Sequence, residues 1–139
     1  MLLQIIRIRY YFTLGVIFSV TFSQWSDDPG NPQMLGSGIQ PQVKATSDGG
    51  VYFVWLTNSD FHVYLQRLDS EGIAQFTDGG MLISDNNNSS WIAVYHLNLA
   101  VDSEDNAVIT LVDQRTGPWE VYAYKISPDG TMLWGSDGL

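Results

Sequence analysis

The chain contains no cysteine. Disulfides, thiolate metal ligands and a cysteine nucleophile are therefore excluded. Histidine is nearly absent too. His62 and His96 are the only two, and neither lies in a His-x-His or His-Glu-x-x-His context. A histidine-based metal or nucleophilic centre thus has little to draw on, and a surface or core role is the simpler reading. Basic residues are scarce, 6 against 15 acids, for a formal charge of −9. Such a surface repels phosphate backbones and anionic lipid, which disfavours nucleic acid and membrane surfaces as partners. A long hydrophobic run is also missing. The longest, Tyr10–Phe22, spans 13 residues, short of the roughly 20 a membrane-spanning helix requires.

That short run belongs to a distinctive N-terminus. Arg7 and Arg9 precede it, and Thr21-Phe22-Ser23 ends it with small residues at −3 and −1. This is the pattern of a secretory signal peptide over 1–23, cleaved between Ser23 and Gln24. The expected location is outside the cell or on its outer surface, with no stable span once the signal is removed. Only Lys44, Arg67, Arg115 and Lys125 then face all 15 acids, a formal charge of −11.

What the chain has in abundance is turn chemistry and short apolar runs. Val121–Leu139 (VYAYKISPDGTMLWGSDGL) echoes Val63–Met81 (VYLQRLDSEGIAQFTDGGM) at an offset of 58 residues. Tyr64 aligns with Tyr122, Gly72 with Gly130, Phe76 with Trp134 and Gly80 with Gly138. Gly72 and Gly130 mark corners that need positive φ, where a Cβ would clash. In Ser127-Pro128-Asp129-Gly130, Pro128 presets φ for the same turn. Phe76 and Trp134 read as the anchors of a strand after each turn. Upstream the echo continues at an offset of 56. Asp48-Gly49-Gly50 before Val51–Leu56 answers to Glu104-Asp105-Asn106 before Ala107–Val112. Both runs are apolar at nearly every position, as in strands covered on both faces. Val43–Thr46 and Leu97–Val101 are candidate first strands.

Each unit therefore reads as about four short antiparallel strands, spaced like a propeller blade. The expected fold is all-β, a partial β-propeller of about two blades plus an N-terminal tail. The boundaries are a tail over 24–40 with a possible closing strand, a first repeat over 41–84, a linker and approach strand over 85–96, and a second repeat over 97–139. Trp55, Tyr64, Gly72, Phe76, Tyr122, Gly130 and Trp134 are the expected structural anchors. Fewer than about three repeats rarely bury enough surface alone. The expectation is a fragment of a longer protein, with self-assembly through an open strand edge as the other solution.

Gln40-Pro41, Ser47-Asp48-Gly49-Gly50, Val51–Trp55, Asp113-Gln114-Arg115, Val121–Ile126 and Leu133-Trp134-Gly135 together are similar to repeats in large exported proteins of the Bacteroidota and related bacteria. Those repeats run as Gln-x-x-Pro, Asp-Gly-x-Gly-Gly, a Trp-ending strand, Asp-x-Arg, Tyr-Ala-Gln-Arg-Ile, Gly and Trp. The resemblance covers about residues 25–139. Here Phe76 and Leu111 stand where the pattern has Trp, and Thr57-Asn58-Ser59 replaces Asp-x-Arg. The resemblance implies a secreted or surface β-propeller-like protein, whose relatives often carry a type IX sorting domain. It carries over no catalytic residue.

The remaining candidates resolve more simply as structure. Asp102-Ser103-Glu104-Asp105-Asn106 has carboxylates at calcium-loop spacing, but an EF-hand needs Gly sixth and Glu twelfth, where Ala107 and Asp113 stand. A hairpin with Asx-type hydrogen bonds is the plainer reading. Ser127–Gly130 with Trp134 resembles an Asp-box, but lacks the residue between Asp and Gly. No carboxylate pair is singled out for glycosidase chemistry, and no cofactor or metal is expected. Trp55, Trp91, Trp119 and Trp134 could stack on sugars. Trp119 lies in a loop peculiar to its unit and is the one weak ligand-contact candidate. The functional expectation is a non-enzymatic module for binding or display, with surface glycan or protein as partner. The alternative is the non-catalytic N-terminal part of a secreted polysaccharide hydrolase.

Overall fold

A computed structural model describes residues 28–86 and 92–139. The signal segment, its cleavage site at Ser23–Gln24 and Trp91 lie outside the described residues.

Among the described residues the chain is all-β, with seven strands in two antiparallel sheets. The first sheet is a meander of β1 (Ile39–Ala45), β2 (Val51–Leu56), β3 (Val63–Leu68) and β4 (Met81–Ser84). The second contains β5 (Asn98–Val101), β6 (Ala107–Asp113) and β7 (Glu120–Ile126). Among the described residues no helix is long and apolar enough to cross a membrane.

The aligned stretches take matching registers. Val51 pairs with Leu68 and Trp55 with Tyr64; Ala107 pairs with Ile126 and Leu111 with Tyr122. Gly49 turns the β1–β2 hairpin at φ 86°, and Asp105 turns β5–β6 at φ 60°. Aspartate is among the few non-glycine residues that tolerate this left-handed corner. Gly72 and Gly130 take φ 78° and 86° at the following corner.

Three expectations need correction. The second unit has three strands among the described residues, where four were expected. The segments carrying Phe76 and Trp134 are not strands. Each makes one bridge, Leu68 to Ala74 and Ile126 to Met132, and then turns away. In the first, the Gln66 side-chain oxygen takes the Phe76 N–H at 3.0 Å, where a ladder partner would stand. Gly79 and Gly80, both at positive φ, then complete the reversal that delivers β4. In the second, Gly135 and Gly138 turn the chain at φ 82° and 71°, and no fourth strand follows among the described residues. The linker over 85–96 holds a helical turn, Ile92–Tyr95, in place of an approach strand, and His96 ends it at φ 61°.

One hydrophobic cluster joins the sheets. Sheet 1 contributes Tyr52, Val54, Leu56, Val63, Leu65 and Ile83. Sheet 2 contributes Leu97, Leu99, Ala107, Ile109, Leu111, Tyr124 and Ile126. Alternate residues of a strand face opposite ways. Sheet 1 therefore presents Tyr52, Val54 and Leu56 inward, while sheet 2 presents Ala107, Ile109 and Leu111. Under the offset of 56, these are opposite faces of equivalent strands. The sheets stack front to back, not front to front.

The run Ala107–Val112 is apolar throughout but buries alternate residues, leaving Val108 and Val112 half-buried. On the outward face of sheet 1, Trp55 is covered by the chain's own strap. A Cβ at Gly36, Gly38 or Gly80 would fall 2.2–2.5 Å from the indole or the Leu56 carbonyl. Only glycine lets these segments lie so close.

Candidate functional site

Three groups of polar or aromatic side chains gather around the stacked sheets. The first lies at the hairpin end, where β1–β2 meets β5–β6. The Asp105 carboxylate accepts the Ser47 N–H at 2.7 Å and the Ser47 hydroxyl at 2.6 Å. The Tyr52 hydroxyl donates to the Asp105 carbonyl at 3.0 Å. Burial pushes the Tyr52 phenol up to about 12. Arg67 pairs with Asp48, while Lys125 reaches Asp102 at 2.8 Å. The Asp102 carboxyl is held well below its ordinary value of 3.8, first by Lys125 and then by Asn106. Asp102 also accepts the N–H groups of Glu104 and Asn106, each at 2.9 Å. The acids with calcium-loop spacing thus spend their oxygens on an Asx-type hairpin and on a clasp between the sheets. Among the described residues, no three His, Asp or Glu side chains are grouped to hold a metal ion.

The second group surrounds Arg115. The Asp113 side chain is fully buried and receives the guanidinium through Nε at 2.9 and 3.0 Å and through Nη2. The same guanidinium donates to the Tyr124 hydroxyl at 2.7 Å and to the Asp137 carbonyl at 2.7 Å. It lies 3.6 Å from the Tyr122 ring centroid, close enough for a cation–π contact. Burial alone would lower the Arg115 pKa, but Asp113 and Tyr124 outweigh it and hold it raised. Every polar atom of this group that could act on a substrate is committed to a neighbour. Its chemistry is that of a fastener.

The third group is a cleft of about 260 Å³ lined by Tyr95, Val112 and Trp119. Tyr95 and Trp119 meet edge to face at 5.5 Å. Trp119 is 38 % exposed and Tyr95 54 %. An exposed aromatic pair beside an apolar floor can receive an apolar surface or a sugar ring.

The residues singled out from sequence scatter among these settings. Trp119 is where an exposed ligand contact would be. Trp55 is buried and stacked on Tyr64, with centroids 6.1 Å apart. Phe76 packs on Tyr52 at 6.5 Å and faces Gly130 across the sheet boundary. Tyr122 carries Arg115, and Trp134 is half-buried. These rings do not form one platform. Sequence reasoning overlooked Tyr95 beside Trp119 and Gln42 between the sheets. Gln42 donates to the Leu97 carbonyl and accepts the Leu99 N–H at 3.0 Å. The Gln-Pro signal at 40–41 lies next to Gln42 but does not single it out.

No protein-family model, curated protein or solved structure matches this chain.

Proposed function

We propose that this chain is an exported, non-enzymatic module of β-propeller-like repeats, part of a larger protein, that serves in binding or display at or beyond the cell surface. The observation that carries the reading is the front-to-back stacking of two sheets in matching register. Propeller blades stack in this manner, each covering the next. The Arg7–Phe22 pattern supports export, and the charge balance favours a partner other than nucleic acid. Trp119 and Tyr95 supply the contact surface, and a surface glycan or protein supplies the partner.

The test has two arms. Expressed with its own N-terminus in a Gram-negative host, the chain should leave the cytoplasm and begin at Gln24 by N-terminal sequencing. A cytoplasmic chain with residues 1–23 intact would overturn export. Incubated with a panel of polysaccharides, the purified protein should bind without releasing reducing ends. Release that a single Asp or Glu substitution abolishes would replace this reading with the hydrolase.

A further inference from the structure

Among the described residues, the front-to-back stacking leaves one face of each kind without a sheet against it. The outward face of sheet 2 carries Thr110, Val112 and Val121, with Val121 72 % exposed. Its equivalent in sheet 1 is the face that buries the core. The outward face of sheet 1 carries Val43 and Phe53 on its first two strands, and Val43 is 56 % exposed. Under the same alignment Val43 stands where Leu99 stands, and Leu99 is only 4 % exposed because sheet 1 covers it. The strap over Trp55 closes the far half of that face but leaves Val43 bare.

We propose that the open face of sheet 2 receives the outward face of sheet 1 from a second copy of this chain, so that copies associate head to tail. The occupant follows from the interface the chain already contains. One face kind seats on the other within each molecule, and among the described residues each molecule leaves part of both kinds uncovered, the Val43 half in sheet 1 and the Val121 side in sheet 2. Such a contact is heterologous, so it propagates into a ring or a filament instead of stopping at a two-fold dimer. The clasp from Asp105 to Ser47 has no equivalent across it, because the alignment puts Gly49 in the place of Asp105. The contact between copies is therefore weaker than the internal one and depends on concentration.

The experiment is sedimentation velocity on the full chain over a wide concentration range, with Val121→Lys and Val43→Lys as the two blocking variants. Both side chains are exposed, so each variant should fold, as a melting curve by circular dichroism would verify. The parent chain should form oligomers larger than a dimer as concentration rises. Each variant alone should shift the association midpoint upward by at least about tenfold. An equimolar mixture should form a heterodimer, since each variant retains the face the other has lost. Three results would overturn the proposal. The parent could stay monomeric. Either variant could associate as the parent does, which includes association carried by residues 1–23 or by a strand edge. Both variants could be blocked while their mixture stays monomeric, which would mean that like faces pair.

Discussion

Tyr64 and Tyr122 occupy equivalent places in the two sheets, yet they are covered by different chemistry. In sheet 1 the Trp55 indole stacks on Tyr64 with ring planes 19° apart, and three glycines let the strap close over it. In sheet 2 the position of Trp55 is taken by Leu111, and the Arg115 guanidinium lies over Tyr122. The smaller leucine leaves the ring surface for a longer side chain to cover. A guanidinium placed there must bring its counter-charge, which is why Asp113 is buried beneath it. A neutral ring asks nothing of its surroundings except close packing, whereas a cation asks for a partner.

The comparison breaks most visibly at Trp55. Trp55→Ala should cost about 3–5 kcal/mol in urea denaturation, because the strap cannot collapse into the space without clashing. Next comes Arg115→Met, which leaves the Asp113 carboxylate buried without its cation. A loss of about 3 kcal/mol is expected, with recovery when Asp113→Asn is added. Arg67→Met should cost only about 1 kcal/mol, because Asp48 is half exposed and water replaces the lost partner. A ratio near one between the two arginine variants would show that burial of the carboxylate is not what separates them.

The smallest effects are those of pH, read from melting temperature. Tyr52 is raised to about 12 from an ordinary value of 10.0. Its contribution is present in full below pH 10 and is lost as pH rises through 12. Asp102 is depressed, so its contribution is present above its ordinary 3.8 and is lost as pH falls below that value. Lys125→Met should flatten the acid limb and also soften the alkaline limb, because Asp102 holds the Lys125 ammonium above its ordinary 10.5.

Much of the strand pattern was legible because turn residues have few alternatives. Gly72, Gly130 and the Gly49–Asp105 pair sit at corners where positive φ is required, and the pairing of β2 with β3 and of β6 with β7 follows from them. The segments around Phe76 and Trp134 were misread because an apolar residue after a turn looks the same whether or not a ladder continues. What decided it was a side chain, Gln66, competing for the Phe76 N–H. Which face of each central run is buried was not legible. Runs apolar at every position do not say which face is buried. Among the candidate contacts, Trp119 was visible through its unusual loop, but its partner Tyr95 lies on a helical turn that the apolar stretch 92–95 did not announce.

Gln42 lends a side chain to work normally done by a backbone. Its carboxamide holds β5 by a carbonyl and an amide at once, so the sheets are locked against sliding as well as against parting. The Leu99 amide can therefore exchange its proton with solvent only when that carboxamide rotates away. In deuterated buffer it becomes a clock for slippage between the layers, one that runs without either sheet coming apart.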